Sequence, residues 1–566
     1  MRRSNLINLA LALLLALPFP IANAQNRRSS TTANKSQSSA AARRAADRIT
    51  AQQLKEYLYY VASDEMRGRD TPSPGLDATA RFIADKLKER GIKPRGDNGT
   101  YFQKYTLRRL RADASQSRAE INGQIFKFGD DFLPSLSSGT AQGALVFVGH
   151  GWFVKSKNIN AYQGIDVRDK IMIVAGGARP DGVTPDDLGG KQGEDWDDFG
   201  GYARRHGARG IVLIPRTRDY NQYWQTRRAA LERGTLQVEA FMDITDTRIP
   251  TLIPSQKMLD ALMAGERVSG EQVFQQSGGA NMNSAPFELT AGKRINFTTA
   301  VASETSSTQN VVGVLEGSDP ALKNEYVALG AHYDHVGVGT SGAGRGGVKD
   351  GDTSGDTIYN GADDDGSGTV AVLSIAEALA RGPRLKRSIL FVWHSGEEKG
   401  LWGSRYFVEH PVVPLAQIVT QLNIDMIGRS KRDGDANPRN RDLSAHNEIY
   451  VIGSKMMSTD LGALSERINA SYLNLNFNYK YDDPTDPNRF FFRSDHYNYA
   501  RNGVPIIFYF DGVHEDYHRP SDSPDKIDYE KMQTVARTIF MTVTELANLA
   551  NRPRVDKQLP SQLTTR

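Results

Sequence analysis

The stretch Tyr359–Ala380 reads YNGADDDGSGTVAVLSIAEALA, and its reading decides how the rest of the chain is organised. Three consecutive carboxylates, Asp363, Asp364 and Asp365, sit between glycines and run into an apolar helical pattern. Adjacent like charges repel, so their placement where an extended segment turns into a helix needs a reason. One reason is structural: Asp is a good N-cap and complements the positive end of the helix dipole. The other is chemical, a cation held at the turn.

The flanking segments place this turn in an α/β alternation. From Asn310 onward, β-rich apolar runs (NVVGVLEG, YVALGAHYDH, RSILFVWHS, QIVTQLNIDMIG, EIYVIGS, VPIIFYF) alternate with helical patterns such as GTVAVLSIAEALA. Near-continuous apolar strands separated by helices predict a sheet covered on both faces. Upstream, ITAQQLKEYLYYVASDEMRGR from Ile49 and GLDATARFIADKLKERGIKP from Gly75 space apolar residues three and four apart, predicting two amphipathic helices. The second should stop at Gly91, with Pro94 just beyond. These helices have no sheet of their own and are assigned to the later unit. Between about Ala141 and Thr290 the texture changes to shorter β-rich runs, GALVFVGHG, KIMIVAGG and GIVLIP, with one helical pattern, FGGYARRHGA. This middle region reads as an insertion.

In α/β sheets, ligands collect at the carboxyl ends of strands. Four of the strands end in residues able to bind metal: His332 and Asp334, two apart and on one side of an extended chain; Glu397 and Glu398; Asp425; and a loop carrying His514 and His518. The chain has no cysteine, which excludes disulfides and thiolate ligands, so a metal would be held by His, Asp and Glu.

The motifs GAHYDH, YNGADDDGSGTVAVL, WHSGEEKGLWGSRYF, NIDMIGR and DYHRPSDSPDKID, in this order, resemble the co-catalytic two-zinc exopeptidases of metallopeptidase family 28, which include bacterial leucyl aminopeptidase and glutamate carboxypeptidase. The resemblance spans about Asn310 to Ala550 and the helices at 49–90. It implies a mixed α/β fold, a central sheet flanked by helices of the zinc-exopeptidase, phosphorylase/hydrolase-like kind. The insertion resembles a β-rich protease-associated domain through KIMIVAGG, YARRHGARGIVLIP and IPTLIPS. Carried onto this chain, the resemblance makes Asp363 the carboxylate shared by two Zn²⁺, with Glu398 and His518 completing one site and His332 and Asp425 the other. Asp334 would orient His332, Glu397 would be the general base, and Tyr517 would face the developing oxyanion. Asp365 is expected to cap the helix. The substrate implied is a peptide and the activity an aminopeptidase; alternatives are a carboxypeptidase, a one-zinc glutaminyl cyclase-like acyltransferase, or a receptor-like protein that keeps the fold without catalysis.

With 566 residues the chain exceeds one ordinary core, since domains run to roughly 100–200 residues. The expected order is a signal peptide at 1–24, a flexible leader at 25–45, peptidase segments at 46–140 and 291–552 around the insertion at 141–290, and a tail at 553–566. Arg2 and Arg3 before the apolar run Leu9–Leu17, followed by Ala22–Ala24, form a secretory signal. No later stretch reaches the roughly 20 apolar residues that span a bilayer. The formal charge of +4 falls to +2 without Arg2 and Arg3, which gives no argument for nucleic acid as a partner. Export without cysteine points to a bacterial periplasm or exterior; the oligomeric state is not legible.

With ten histidines each can be weighed. His150 and His206 are expected to be structural, His335 and His394 to pack or support the site, and His410 and His446 to lie at the surface. For His496, cleft wall and structural support stand equal, and His514 is the rival of His518. In the loop Gly339–Gly361, Asp350, Asp352, Ser354 and Gly355 copy the first half of an EF-hand, but its twelfth position is Gly361 rather than Glu, which argues against calcium.

Overall fold

The computed structural model describes residues 40–242, 249–277, 285–339, 355–560 and 563. The signal segment at 1–24 and the EF-hand-like residues Asp350, Asp352 and Ser354 lie outside them. The chain divides into two compact units, residues 1–103 with 310–566, and residues 104–309.

The first unit is a mixed sheet flanked by helices, as expected. Its strands are the last part of β1 (Val301–Leu315), β2 (Tyr326–His332), β3 (Ser388–His394), β4 (Ile418–Ile424), β5 (Glu448–Ile452), β6 (Asn476–Asn478) and β7 (Ile506–Phe510). They lie in the order β1-β3-β2-β4-β7-β5-β6. The four central strands β3, β2, β4 and β7 run parallel, while β1 is antiparallel to β3 and β5 is antiparallel to β7 and parallel to β6. Every residue of these four strands is buried, which is why they read as unbroken apolar runs.

Alternate side chains serve opposite faces. Val327, Leu329, Ala331, Phe391 and Trp393 pack beneath helices α1 (Ala51–Val61), α2 (Pro74–Glu89), α3 (Gly368–Ala380) and α6 (Tyr529–Asn548). Ala328, Leu390, Val392 and Ile506 pack on the other face with Phe407 of α4 (Trp402–Glu409) and Tyr499 of α5 (His496–Ala500). Each large apolar side chain so buried contributes roughly 1.5–3 kcal/mol. The two early helices form as read: Thr50 and Ser73 cap α1 and α2, and Gly91 takes φ +70° just past the end of α2.

Three boundaries differ from expectation. Residues 40–46 are helical, and Ala42, Ala45 and Ala46 are buried against the helical face, so the leader is not free up to residue 45. The inserted unit is wider than 141–290, because Arg118–Ile121 pairs with Gln124–Phe126 and with Arg294–Thr299, which itself pairs with Gly139–Phe147. Residues 104–140 therefore belong to it, and pairing across a long sequence gap left no local signal. Its inner strands Ile171–Gly176 and Gly210–Pro215 and helix Phe199–Arg205 match the runs read from sequence. The tail is tied down too: Arg554 Nε donates to Asp460 at 2.8 Å and Leu563 is buried in the second core layer.

Candidate metal centre

The carboxyl ends of β2, β3, β4 and β7 converge on the ADDD turn that leads into α3. Ser367 hydrogen-bonds back to Asp363 O, and Asp365 caps the helix, accepting from Gly368 N at 2.9 Å. Asp365 also accepts from His332 N and Met426 N. The Asp365 carboxylate lies close enough to join a group with His332 and Asp425, but both of its oxygens are already committed to backbone N–H groups. The capping expectation for Asp365 agrees with this geometry.

Asp364 occupies the position expected of Asp363. Its Oδ1 lies 3.2 Å from His332 Nε2, and its Oδ2 lies 3.0 Å from His518 Nε2. Around the first oxygen gather His332 and Asp425, with Nε2 and Oδ1 3.6 Å apart. Around the second gather His518 and Glu398, with Nε2 and Oε2 3.1 Å apart, and His335 Nδ1 lies 2.8 Å from Glu398 Oε1. Asp363 points elsewhere: its Oδ1 accepts from Gly428 N at 2.7 Å and its Oδ2 lies 3.2 Å from His514 Nε2. The expectation for Asp363 is thus corrected by the geometry, and His514, the rival of His518, is accounted for as its partner.

The turn is aimed by residues distant in sequence. Asp522 accepts from both Asp363 N and Asp364 N. Arg69, 1% exposed, donates to the carbonyls of Val61, Tyr333, Asn360 and Gly361 and so fixes the segment entering the turn. Gly361 has φ +57°, and a Cβ there would fall 2.4 Å from Asp364 O and 2.5 Å from the His335 ring. Only glycine lets the chain pass at that distance.

His332 Nδ1 is 3.1 Å from the main-chain oxygen of Asp334 and 3.6 Å from its carboxylate. An Nδ1–H donated to that carbonyl leaves the Nε2 lone pair facing Asp364 and Asp425. The Asp334 carboxylate, expected to orient the ring, lies within ion-pair distance of Nδ1 and also accepts from Glu397 N at 3.2 Å and from Thr71 Oγ1 at 3.1 Å. It holds the Glu397–Glu398 segment against β2. Glu397 Oε2 lies 4.0 Å from His332 Nε2. Tyr517 stacks on His518, ring centroids 4.0 Å apart, and its hydroxyl accepts from Arg493 Nη2 at 3.3 Å. Burial pushes the Tyr517 hydroxyl up to about 12. His496 is buried and stacked on Phe508, with burial pushing it down to about 3, which favours the supporting role over the cleft wall.

The donor set fits cations. Buried Asp364 Oδ2, Glu398 Oε1, His518 Nε2 and both His335 nitrogens make no hydrogen bond despite their proximity, so lone pairs converge without protons suitably directed between them. Burial opposes charge on each group, yet the groups ionise one another: His518 pulls Glu398 down to about 2, while Asp425 and Glu397 push His332 well above the usual imidazole range. Such imidazolium–carboxylate clusters are what a divalent cation displaces, releasing the ring protons. Glu397 differs. Burial raises its carboxyl well above the usual range and Glu398 and Asp425 add to this, although His332 opposes it.

Sequence reasoning missed Asp364, the contact of His335 with Glu398, the clamp by Arg69 and Asp522, and Arg493 beside Tyr517. A buried arginine in MRGR and an aspartate in PSDSP carry no local signal of where they point.

Residues 310–543 match peptidase family M28. Among curated proteins, a probable leucine aminopeptidase 2 of Aspergillus oryzae is 32% identical over 216 residues, covering 37% of this chain and 35% of its own length. Leucine aminopeptidase 2 of Trichophyton rubrum is 25% identical over 300 residues, covering 48% of this chain and 52% of its own. The chain thus spans between about a third and about half of the length of these relatives. Among solved structures, an aminopeptidase from Aneurinibacillus sp. strain AM-1 aligns over 91% of this chain and 99% of its own, at 16% identity and a TM-score of 0.48. A zinc aminopeptidase from Bacillus subtilis aligns over 90% and 99%, at 16% identity and a TM-score of 0.41.

Proposed function

We infer, from the match of residues 310–543 to peptidase family M28 and from the geometry of the centre, an exported zinc aminopeptidase that removes N-terminal residues from peptides. The observation that carries this reading is the Asp364 carboxylate, whose two oxygens face two separate histidine–carboxylate groups. A carboxylate shared in this way could serve two cations. His332 and Asp425 would hold one Zn²⁺, His518 and Glu398 the other. When bound, zinc lowers the pKa of water and polarises a carbonyl.

The protein's own groups supply the rest. Glu397, buried and with its backbone N–H pinned by Asp334, takes the proton of the attacking water and passes it to the leaving amine. His335 Nδ1 stands 2.8 Å from Glu398 Oε1, beside the ligand group but without a hydrogen bond to it. Tyr517 and Arg493 stand together at the edge of the cleft, placed to donate to an oxyanion. The inserted unit is read as protease-associated, and residues 1–24 as the export signal.

A panel of aminoacyl p-nitroanilides and N-acetylated dipeptides tests the reading, with zinc measured on the same sample. Expected are hydrolysis of free N-termini only, close to two zinc per chain, and loss of activity to a chelator. Preference for N-acetylated dipeptides would replace the aminopeptidase by a carboxypeptidase. Full activity with one zinc would support the cyclase.

A further inference from the structure

Beside the metal centre, within the same unit, opens a cavity of about 300 Å³. It shares Phe490, Arg493, Val513 and Tyr517 with the smaller cleft that contains His332, Asp364, Glu397 and Asp425. A substrate held at the centre can therefore reach it without leaving the surface of the cleft. The intervening wall is apolar, formed by Phe490, Phe508, Phe510 and Val513.

The cavity is basic. Arg439, Arg441, Arg493 and Arg519 line it, against two carboxylates, Asp442 and Glu515. Both carboxylates are occupied: Asp442 accepts from Lys480 Nζ at 2.7 Å and from Arg441 Nε at 3.0 Å, and Glu515 accepts from Asn437 Nδ2. Arg439 and Arg519 have no carboxylate within ion-pair distance among the described residues. Arg493 donates to the Tyr517 hydroxyl and lies over the face of Phe490, 4.9 Å from its guanidinium carbon, and the carboxylate charges that act on it are Glu397 and Asp364 of the metal centre. Three arginines from three separate loops thus line one cavity, none with a carboxylate within ion-pair distance among the described residues. Of the two nearby acids, Asp442 is paired with Lys480 and Arg441, while Glu515 is held by the neutral amide of Asn437.

We propose that this cavity binds a carboxylate of the substrate, so that the enzyme selects peptides carrying a negative charge within one or two residues of the scissile bond. The chemistry is charge-assisted, forked recognition of a carboxylate by arginine. Two parts of a peptide could present it: the acidic side chain of the N-terminal residue, or the terminal α-carboxylate of a short peptide. This inference rests on the aminopeptidase reading for its position but not for its chemistry.

The experiment compares matched pairs that differ only in charge. One arm sets Glu-p-nitroanilide against Gln-p-nitroanilide; the other sets Leu-Gly-Gly against Leu-Gly-Gly amide. In one arm the carboxylate form is expected to have a kcat/KM about 10–100-fold above its neutral partner, the size of one or two charge-assisted hydrogen bonds. Which arm shows the preference identifies the source. In Arg439→Gln/Arg519→Gln and in Arg493→Gln the ratio within that arm should fall toward one, a readout that a general loss of structure would not move. Ratios at or below one in both arms of the unmodified protein, or ratios unchanged in the variants, overturn the proposal. Calorimetric binding of the same pairs reads the cavity whether or not the bond is cleaved. Leu-p-nitroanilide hydrolysis reports the aminopeptidase reading alone, so the two failures are distinguishable.

Discussion

Asp363 is turned onto His514, Oδ2 to Nε2 3.2 Å, and so stands outside the group of histidines that its neighbour Asp364 faces. The two carboxylates are adjacent in sequence and equally buried, yet one contacts backbone and a supporting histidine while the other lies between His332 and His518. Charge and burial do not separate them; direction does.

The separation is measurable. Asp364→Asn should leave well under one zinc per chain and no recovery with excess zinc, because the shared anionic ligand is gone. Asp363→Asn removes a supporting contact, and such contacts are worth about 10–100-fold in metal affinity. It should regain near-normal activity when zinc is raised by that factor. Zinc titrations followed by activity check both; the reverse pattern would restore Asp363 as the shared ligand.

Arg69 offers a stability test. Arg69→Met leaves the buried carbonyls of Val61, Tyr333 and Asn360 without a donor, while Gly361 O keeps Gly366 N; each unsatisfied carbonyl costs about 1–3 kcal/mol, less whatever water can replace. The loss should exceed about 3 kcal/mol, at the upper end for one substitution. Arg69→Lys should recover little, since an ammonium lacks the planar fork that spans these carbonyls. Urea unfolding midpoints decide it; a loss below about 1 kcal/mol would mean the clamp is not needed.

Asp482 gives a pH signature away from the metal centre. Burial raises its carboxyl to about 6, against the backbone N–H groups of Gly453 and Lys455, which favour the charge. A folded-state pKa above the unfolded value means the fold prefers the protonated form, so the contribution is present below about pH 4 and lost as pH rises through about 6. Asp482→Asn cannot ionise. Its stability relative to the unmodified protein should therefore climb between about pH 4 and pH 6 and level off above. Thermal midpoints of the pair across that range check the slope, and a flat difference would contradict it.

Much of this was legible in the chain. The unbroken apolar strands and the acidic or histidine residues at their ends located the sheet and the centre, because both follow from local periodicity. What stayed hidden depends on contacts between distant segments. Which of three aspartates faces inward is set by Arg69, which donates to Gly361 O across 292 residues, and by Asp522, which accepts from Asp363 N across 159. The true width of the inserted unit rests on Arg118–Ile121 pairing with Arg294–Thr299. The basic cavity draws Arg439, Arg493 and Arg519 from three loops whose sequences carry no shared motif.

The central claim, that Glu397 moves the proton while Glu398 helps hold the metal, is tested most directly by comparing Glu397→Gln with Glu398→Gln for kcat and zinc content. Glu397→Gln keeps shape but cannot accept a proton. General acid–base groups contribute about 10²–10⁴-fold, and one residue here serves both transfers, so kcat should fall near the upper end or beyond. Zinc should stay at the unmodified level. Glu398→Gln should instead lose zinc, because a neutral amide oxygen replaces the anion facing His518. Zinc loss in Glu397→Gln with retention in Glu398→Gln would exchange the roles, and near-normal kcat in both with zinc bound would contradict the account.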